Sequence, residues 1–282
     1  GDATENTRST TRYAIEARVR NQQRMKDKCP SNEEHINHVI HPDTGLICRY
    51  KKLAAGLVPG KSATIWKTGL ANELGWLANG VGTRMKSGTN TIRYINRQQV
   101  PRGRKVTYGN LVCDIRPNKS EVHRVRLTAE GDQIAYPGEV STSTSDLTTA
   151  KCLINSIIST QKAKGMCADI KDFYLNTEMD RFEYMRLKAD LIPEEIMMQY
   201  NLAPLVTDGF IYLEIMKGMY GLPQAGLLAN LKLTKHLAKY GYYPTKHTPG
   251  LWKHETKPIV FTLTVDDFLI KYSSTEDAQH LL

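Results

Sequence analysis

Closely spaced cysteine pairs of the CxxC type are missing from this sequence. The 282 residues contain five cysteines without a CxxC pair among them: Cys29, Cys48, Cys113, Cys152 and Cys167. CxxC spacings are typical of structural zinc sites and redox motifs. Without them, the pattern favours reduced thiols, as in a cytosolic or nuclear protein.

Long apolar runs are missing as well. No stretch approaches the length of a bilayer-spanning helix, and no signal-peptide pattern opens the chain. We therefore expect no membrane partner. The chain begins with Gly1 rather than Met, which favours a fragment or a processing product.

Acidic residues are fewer than basic ones, with 29 Asp and Glu against 38 Lys and Arg and a formal net charge of +9. This excess favours an anionic partner, and nucleic acid is the leading candidate. Charge alone leaves a second interpretation open, because many basic proteins bind no polyanion.

Residues 1–60 are polar and poorly patterned, and they are predicted to form a flexible leader. The segment "IWKTGLANELGWLANGV" (65–81) then predicts an amphipathic helix. Its apolar side carries Trp66, Leu70, Leu74 and Leu77.

A cationic hairpin follows. "KVTYGNLVCDI" and "EVHRVRLT" predict two strands joined by the turn "RPNKS". On the second strand Arg124, Arg126 and Thr128 share one face, while Val125 and Leu127 point the other way. This face either binds phosphate groups or is an ordinary solvated surface.

The rest of the chain alternates helix and strand patterns. "SDLTTAKCLINSIIST" (145–160) predicts a helix capped by Ser145 or Asp146, and "MCADI" predicts a short buried strand that ends at Asp169. "GFIYLEIMKGMYGL" predicts another strand, and a second long helix begins at "LPQAG". This order favours an α+β fold with a mainly antiparallel sheet.

Two adjacent acids interrupt the strand pattern of "FTLTVDDFLIKY" (261–272). Asp266 and Asp267 lie where the apolar run breaks, which by itself is most often a solvated turn. A strand end such as Asp169 and a neighbouring hairpin tip can lie side by side. Three carboxylates that meet there would repel one another unless cations lay between them, and hard oxygen ligands suit Mg²⁺.

Four segments together resemble the reverse transcriptase of Ty1/copia-type LTR retrotransposons. They are "RVRLTAEGDQIAYPG", "CADIKDFYLNTEMDRFEYMRL", "GMYGLPQAG" and "TVDDFLIKY", in the family's order. The similarity runs from about Trp66 to the end of the chain. Residues 61–100 resemble the linker region between the integrase and polymerase parts of the polyprotein, and residues 101–282 resemble fingers and palm.

The resemblance implies a right-hand polymerase. The palm would be a ferredoxin-like antiparallel sheet backed by helices, with its core at about 161–180 and 223–282. We expect the thumb to be absent, because the chain ends at Leu282, shortly after the hairpin.

The resemblance also implies a catalytic set. Asp169 and Asp266 would bind two Mg²⁺ ions, for which Mn²⁺ could substitute, and the backbone carbonyl of Ile170 would complete the metal site. Two such ions about 3.5 to 4 Å apart would clamp the attacking and leaving oxygens of a phosphoryl transfer. Asp267 would be the second acid of the turn.

A nucleotide-binding set is implied in the same way. Arg124 and Arg126 would bind phosphate oxygens, and the backbone of Asp172 and Phe173 would contact the triphosphate. Tyr174 would exclude a 2′-hydroxyl and Gln224 would touch the incoming nucleotide near its sugar. The patterns alone leave an alternative open for each of these two, a core aromatic for Tyr174 and an ordinary helix-start residue for Gln224.

Two positions depart from the family. Thr264 stands where a tyrosine commonly contacts the primer, and the bulky Phe173 stands where a small residue is frequent. The first departure concerns primer handling, and the second concerns the width of the nucleotide pocket.

The sequence thus predicts an RNA-directed DNA polymerase fragment of a retroelement, in a cytoplasmic particle or the nucleus. Its partners would be an RNA or DNA template with primer, dNTPs and other parts of the polyprotein. Two alternatives stay open: a nucleic-acid-binding remnant of the same fold without activity, and a module that serves only assembly of the polyprotein.

Overall fold

Ten strands form two five-stranded sheets in residues 39–282, the part of the chain that the computed structural model describes. All strand pairs among these residues are antiparallel except the pair of Val106–Ile115 with Glu178–Lys188. The predicted α+β class with mainly antiparallel pairing is therefore confirmed.

The first sheet is built largely from the middle of the chain. In spatial order its strands are β1 (Ile92–Ile95), β6 (Phe210–Lys217), β5 (Glu178–Lys188), β2 (Val106–Ile115) and β3 (His123–Ala129). The predicted cationic hairpin is β2–β3, and β3 forms an edge of the sheet. Val125 and Leu127 are buried while Arg124 and Arg126 are half-buried, as the alternation predicted.

The second sheet contains the C-terminal strands. In spatial order these are β4 (Lys164–Asp169), β10 (Asp267–Tyr272), β9 (Val260–Thr264), β8 (Leu251–His254) and β7 (Tyr242–Pro244). Strands β7 to β10 follow one another as neighbours. The remaining strand, β4, comes from far earlier in the chain and pairs with β10, so it brings Asp169 to the β9–β10 hairpin.

Six helices accompany the sheets in the described residues. They are α1 (Tyr50–Ala54), α2 (Ala63–Leu77), α3 (Leu147–Ser159), α4 (Glu194–Gln199), α5 (Ala225–Ala238) and α6 (Thr275–Leu281). Asp146 caps α3, since its Oδ1 accepts the Thr149 N–H at 2.7 Å. None of these helices is long and apolar enough to cross a membrane.

The larger hydrophobic core lies between the first sheet and the helices α1, α2 and α4. The four apolar residues predicted on one side of α2 are all buried, and the Trp66 ring packs edge-on against His123 at 5.2 Å between centroids. Buried residues from Trp66 to Ile92 of the predicted linker region (61–100) therefore belong to the same core as the hairpin, while Ile95 and Val100 pack in a separate smaller cluster.

The predicted leader is described only in part. Residues 1–38 lie outside the described residues. Val39, Tyr50 and Leu53, from the part that is described, are buried in the first core. A second core covers the face of the second sheet that carries Phe261, and α5 and α6 pack over it.

One prediction about strand burial is wrong. "MCADI" does not form a buried strand, because β4 is an edge strand with Lys164, Gly165, Cys167 and Asp169 exposed. An apolar sequence is no guarantee of burial at a sheet edge: Met166 and Ala168 are partly buried against the second core, whereas Ile157 of α3 contacts only the Gly165 end of the other face. The apolar face of helix α3 is also only partly covered, because Leu153 is buried whereas Ile158 is 79% exposed.

Candidate active site

Three carboxylates meet at the junction of β4 with the β9–β10 hairpin. Asp267 pairs with Asp169 on one side and with Thr264 on the other, which sets the two strands in register. The Ile170 N–H donates to the Asp266 carbonyl at 3.1 Å, so the chain leaving β4 is tied to the hairpin turn. One carboxylate oxygen from each of Asp169, Asp266 and Asp267 lies within 4.8 Å of the others.

Electrostatics make this cluster costly without a counter-charge. Burial, and then the neighbouring Asp169 and Asp267, raise the pKa of the Asp266 carboxyl, while a backbone hydrogen bond and Arg126 oppose the shift. Asp169 and Asp267 are exposed and Asp266 is half-buried. Carboxylate oxygens at such spacing suit Mg²⁺, which keeps several waters and takes further ligands from phosphates. The donor set therefore fits the predicted metal.

The turn that presents Asp266 is strained. Val265 adopts a φ of +62°, a left-handed conformation that β-branched residues rarely tolerate. A positive φ at the first of two central residues is the geometry of a type II′ hairpin turn, where glycine is usual. The strain is held at the tip of the hairpin beside the carboxylates.

Replacing Val265 by Gly is expected to relieve this strain. Relief of the backbone strain should contribute about 1–3 kcal/mol, and the greater chain entropy of glycine in the unfolded state offsets part of it. The free energy of unfolding should therefore rise by about 1 kcal/mol. Urea denaturation of the two proteins measures the change. Val260→Gly, on the regular part of β9, is the matched control and should destabilise. A destabilised Val265→Gly protein would contradict the strain.

A cavity of about 350 Å³ opens beside the carboxylates. Its lining includes Asp169 and Asp266, Arg124 and Arg126, and the loop that follows β4. The structure thus brings the two predicted sets, the acids and the arginines, to one cavity. Guanidinium groups, which attract an anion, and carboxylates, which attract a cation, therefore line one cavity.

The arginine wall is held by aromatic and apolar contacts. The Arg126 guanidinium lies over the Tyr220 ring, 4.2 Å from its centroid, and Tyr220 also meets the Tyr174 ring edge-on at 5.2 Å. Burial and the proximity of Arg126 lower the pKa of Arg124. The guanidinium groups share one face of β3, so their mutual repulsion favours an anion between them.

Gly221 allows the segment of Tyr220 to approach β3. The Ala129 N–H donates to the Tyr220 carbonyl at 2.9 Å, and a Cβ built on Gly221 would lie 1.9 Å from the Ala129 oxygen. Gly221 also has a φ of +94°. A larger residue would push Tyr220 away from Arg126.

The loop after β4 also lines the cavity. Asp172 has a φ of +55°, and its Oδ1 accepts the Trp76 indole N–H at 3.4 Å. Phe173 is buried, whereas Tyr174 is half-buried and lines the cavity. The Tyr174 ring contacts the rings of Phe173 and Tyr220, with 5.6 and 5.2 Å between centroids.

Gln224 is placed elsewhere. It is fully buried, its Nε2 donates to Glu183 Oε1 at 2.9 Å, and it does not line the cavity. Glu183 also accepts from Arg104 and Arg181 at 2.8 and 2.9 Å. Gln224 therefore joins a buried polar network between β5 and the start of α5.

The cavity residues that sequence analysis missed include Glu73 and Trp76 of α2. The Lys171 ammonium lies 5.6 Å from the centre of the Trp76 ring, which holds the loop after β4 against the helix. One signal was available, because Glu73 is the single charged residue between Lys67 and Arg84. A lone acid on a helix that packs in a core needs a polar partner.

Comparison with known proteins adds no relative. A scan against protein-family models gives no match, and a search of curated proteins finds none. Fold and site define an α+β protein with a three-carboxylate cluster beside an arginine-lined cavity. Any assignment to a family therefore depends on the sequence motifs and on this geometry.

Proposed function

We propose that the chain is the fingers and palm of a retroelement RNA-directed DNA polymerase. One observation carries the proposal: β4 and the β9–β10 hairpin bring Asp169, Asp266 and Asp267 within 4.8 Å beside the arginine-lined cavity. In this proposal the second sheet is the palm and the first sheet, with its β2–β3 hairpin, belongs to the fingers. The other partners are a primer–template and the rest of the polyprotein.

The carboxylates that line the cavity would hold the metal. Asp169 and Asp266, with the backbone at Ile170, are the candidate ligands, and bound Mg²⁺ would neutralise phosphate charge and activate the primer 3′-hydroxyl. The hairpin contributes rigidity: a two-residue turn and the Ile170 hydrogen bond fix Asp266 before any ligand arrives. Preorganised charge of this kind is what electrostatic catalysis requires.

The arginines that line the cavity would hold the triphosphate. Arg124 and Arg126 present guanidinium groups whose planar donors suit phosphate oxygens. The Tyr220 ring beneath Arg126 restricts its motion, so less conformational freedom is lost when the phosphate binds. The loop from Lys171 to Tyr174 lines the same cavity, and in this proposal it contacts the sugar and the triphosphate of a bound nucleotide.

Tyr174→Ala is expected to admit ribonucleotides. With the ring removed, the preference for dNTPs over NTPs should fall by about tenfold or more, because the cavity gains room for a 2′-hydroxyl. Single-nucleotide incorporation with dCTP and CTP measures the preference. Tyr174→Phe is the matched control and should keep it, since the ring rather than the hydroxyl fills the space. An unchanged preference in Tyr174→Ala would remove Tyr174 from this role.

Primer extension on an RNA template tests the proposal directly. We expect Mg²⁺-dependent incorporation of dNTPs by the full chain, with Mn²⁺ as a substitute. A chain with no incorporation that still binds primer–template with a steep salt dependence would instead be the nucleic-acid-binding remnant. The burial of Gln224 away from the cavity is the observation that favours this second candidate.

A further inference from the structure

Helix α2 lies along the edge strand β3 in a regular register. Trp66 packs edge-on against His123 at 5.2 Å, and a Cβ on Gly69 would lie 3.2 Å from Val125 Cγ2. One helical turn later, Glu73 Oε1 accepts the Leu127 N–H at 2.9 Å. Successive contacts advance three or four residues on the helix and two on the strand, so one face of α2 follows β3.

The last of these contacts between α2 and β3 is the hydrogen bond that Glu73 accepts from the free edge of the strand. β3 pairs with β2 on one side only, so an N–H on its other side needs an acceptor from outside the sheet. Glu73 supplies that acceptor at Leu127, directly after Arg126. The Leu127 side chain points into the core, so the same hydrogen bond holds the backbone from which Arg126 enters the cavity.

The carboxylate of Glu73 is also part of the cavity wall. Burial raises the pKa of Glu73 to about 7, although the Leu127 hydrogen bond and the two arginines oppose the shift. Its charge therefore changes near neutral pH. The charged groups that act on it are Arg124 and Arg126 of β3 and Glu121 of the loop between β2 and β3. The other charged residues that line the same cavity are Asp169 at the end of β4, Lys171 and Asp172 of the loop after β4, and Asp266 of the hairpin turn.

We propose that Glu73 is a positioning residue for the arginine pair, and that its charge sets how tightly the cavity holds a phosphate-bearing ligand. Hydrogen bonding to Leu127 keeps Arg126 and Arg124 directed into the cavity. A negative charge on the same carboxyl partly cancels their attraction for an anion. The inference depends on the proposed function only in taking a nucleoside triphosphate as the natural ligand.

Binding of inorganic tripolyphosphate, without metal, isolates this effect from the carboxylate cluster and from catalysis. The quantity to measure is the ratio of the affinities of Glu73→Gln and wild type, by calorimetry at pH 6 and pH 8. Protonation of the probe itself cancels in this ratio. Glu121→Gln is the matched control, because it removes a nearby acid whose carboxylate accepts from Arg116, in the loop between β2 and β3, and not from the β3 backbone.

At pH 8 we expect Glu73→Gln to bind the probe about three- to tenfold more tightly than wild type, and at pH 6 about equally. Glu73→Ala should bind more weakly than Glu73→Gln at both pH values, because the Leu127 N–H loses its acceptor. Glu121→Gln should show a smaller ratio that does not change between the two pH values.

Equal binding by wild type and Glu73→Gln at pH 8 would overturn the charge effect, and this comparison stands even if Glu73→Ala fails to fold. Equal binding by a folded Glu73→Ala and Glu73→Gln would overturn the positioning role. Absence of tripolyphosphate binding in wild type would overturn the whole inference. The proposed polymerase activity is decided separately, by metal binding and primer extension.

Discussion

Asp169→Asn and Asp266→Asn are each expected to lower Mn²⁺ affinity by about 100-fold or more, because loss of a mere supporting group around a metal already costs about 10- to 100-fold. Each change removes a charged ligand from a cluster in which three carboxylates lie within 4.8 Å. Electron paramagnetic resonance of Mn²⁺, with primer–template and a non-reactive dNTP present, measures the affinity. Primer extension should fall to background in both variants.

Asp172→Asn is the matched control for these variants. Asp172 lines the same cavity, but its carboxylate accepts the Trp76 N–H, so the variant should keep Mn²⁺ binding. Mn²⁺ binding by the wild-type protein should also weaken as the pH falls. This loss should begin at a higher pH than for a site built from ordinary aspartates, because the pKa of Asp266 is raised and protons compete with the metal for its carboxylate. Mn²⁺ binding that is indifferent to Asp169 and Asp266 would refute a shared site.

Trp66→Ala is expected to lower the free energy of unfolding by about 3–5 kcal/mol, the usual cost of deleting a buried aromatic ring. Trp66 is 1% exposed and packs against His123, so its loss leaves a cavity between α2 and β3. Urea denaturation measures the change. If residues 61–100 were only a linker, the substitution would have little effect on the core.

Ile65→Ala on the same helix is the control for Trp66→Ala. Ile65 is 43% exposed, and its truncation should change stability by about 0.5 kcal/mol or less. Because α2 carries Glu73 and Trp76, the Trp66 variant should also lose tripolyphosphate affinity under conditions where it remains folded. An equal effect of the two substitutions on stability would contradict the packing of α2.

Local patterns in the sequence were sufficient to place the hairpins. The alternation around Arg124 and Arg126 predicted their common face, and the break at Asp266 predicted the turn between β9 and β10. These features depend on the period of a strand and on turn chemistry within a few residues. The predicted α2 face follows from the helical period in the same way.

Burial could not be predicted in the same way. "MCADI" is apolar enough for a buried strand, yet β4 is at a sheet edge and its Cys167 and Asp169 are exposed. Gln224 was expected near the sugar of the incoming nucleotide, but in the structure its side chain is buried and donates to Glu183, which also accepts from Arg104 and Arg181. Both outcomes depend on partners far away in the sequence.

The sequence by itself determined the local elements of this protein: the cationic strand, the acidic turn, the capped helix α3 and the amphipathic face of α2. Tertiary structure alone decided which of them share a cavity. Pairing of β4 with β10 brings Asp169 to Asp266, and packing of α2 on β3 adds Glu73 to the arginine wall. The physical reason is that hydrophobic periodicity records which face of an element is covered, whereas the choice of neighbour depends on hydrogen bonds and packing between distant segments.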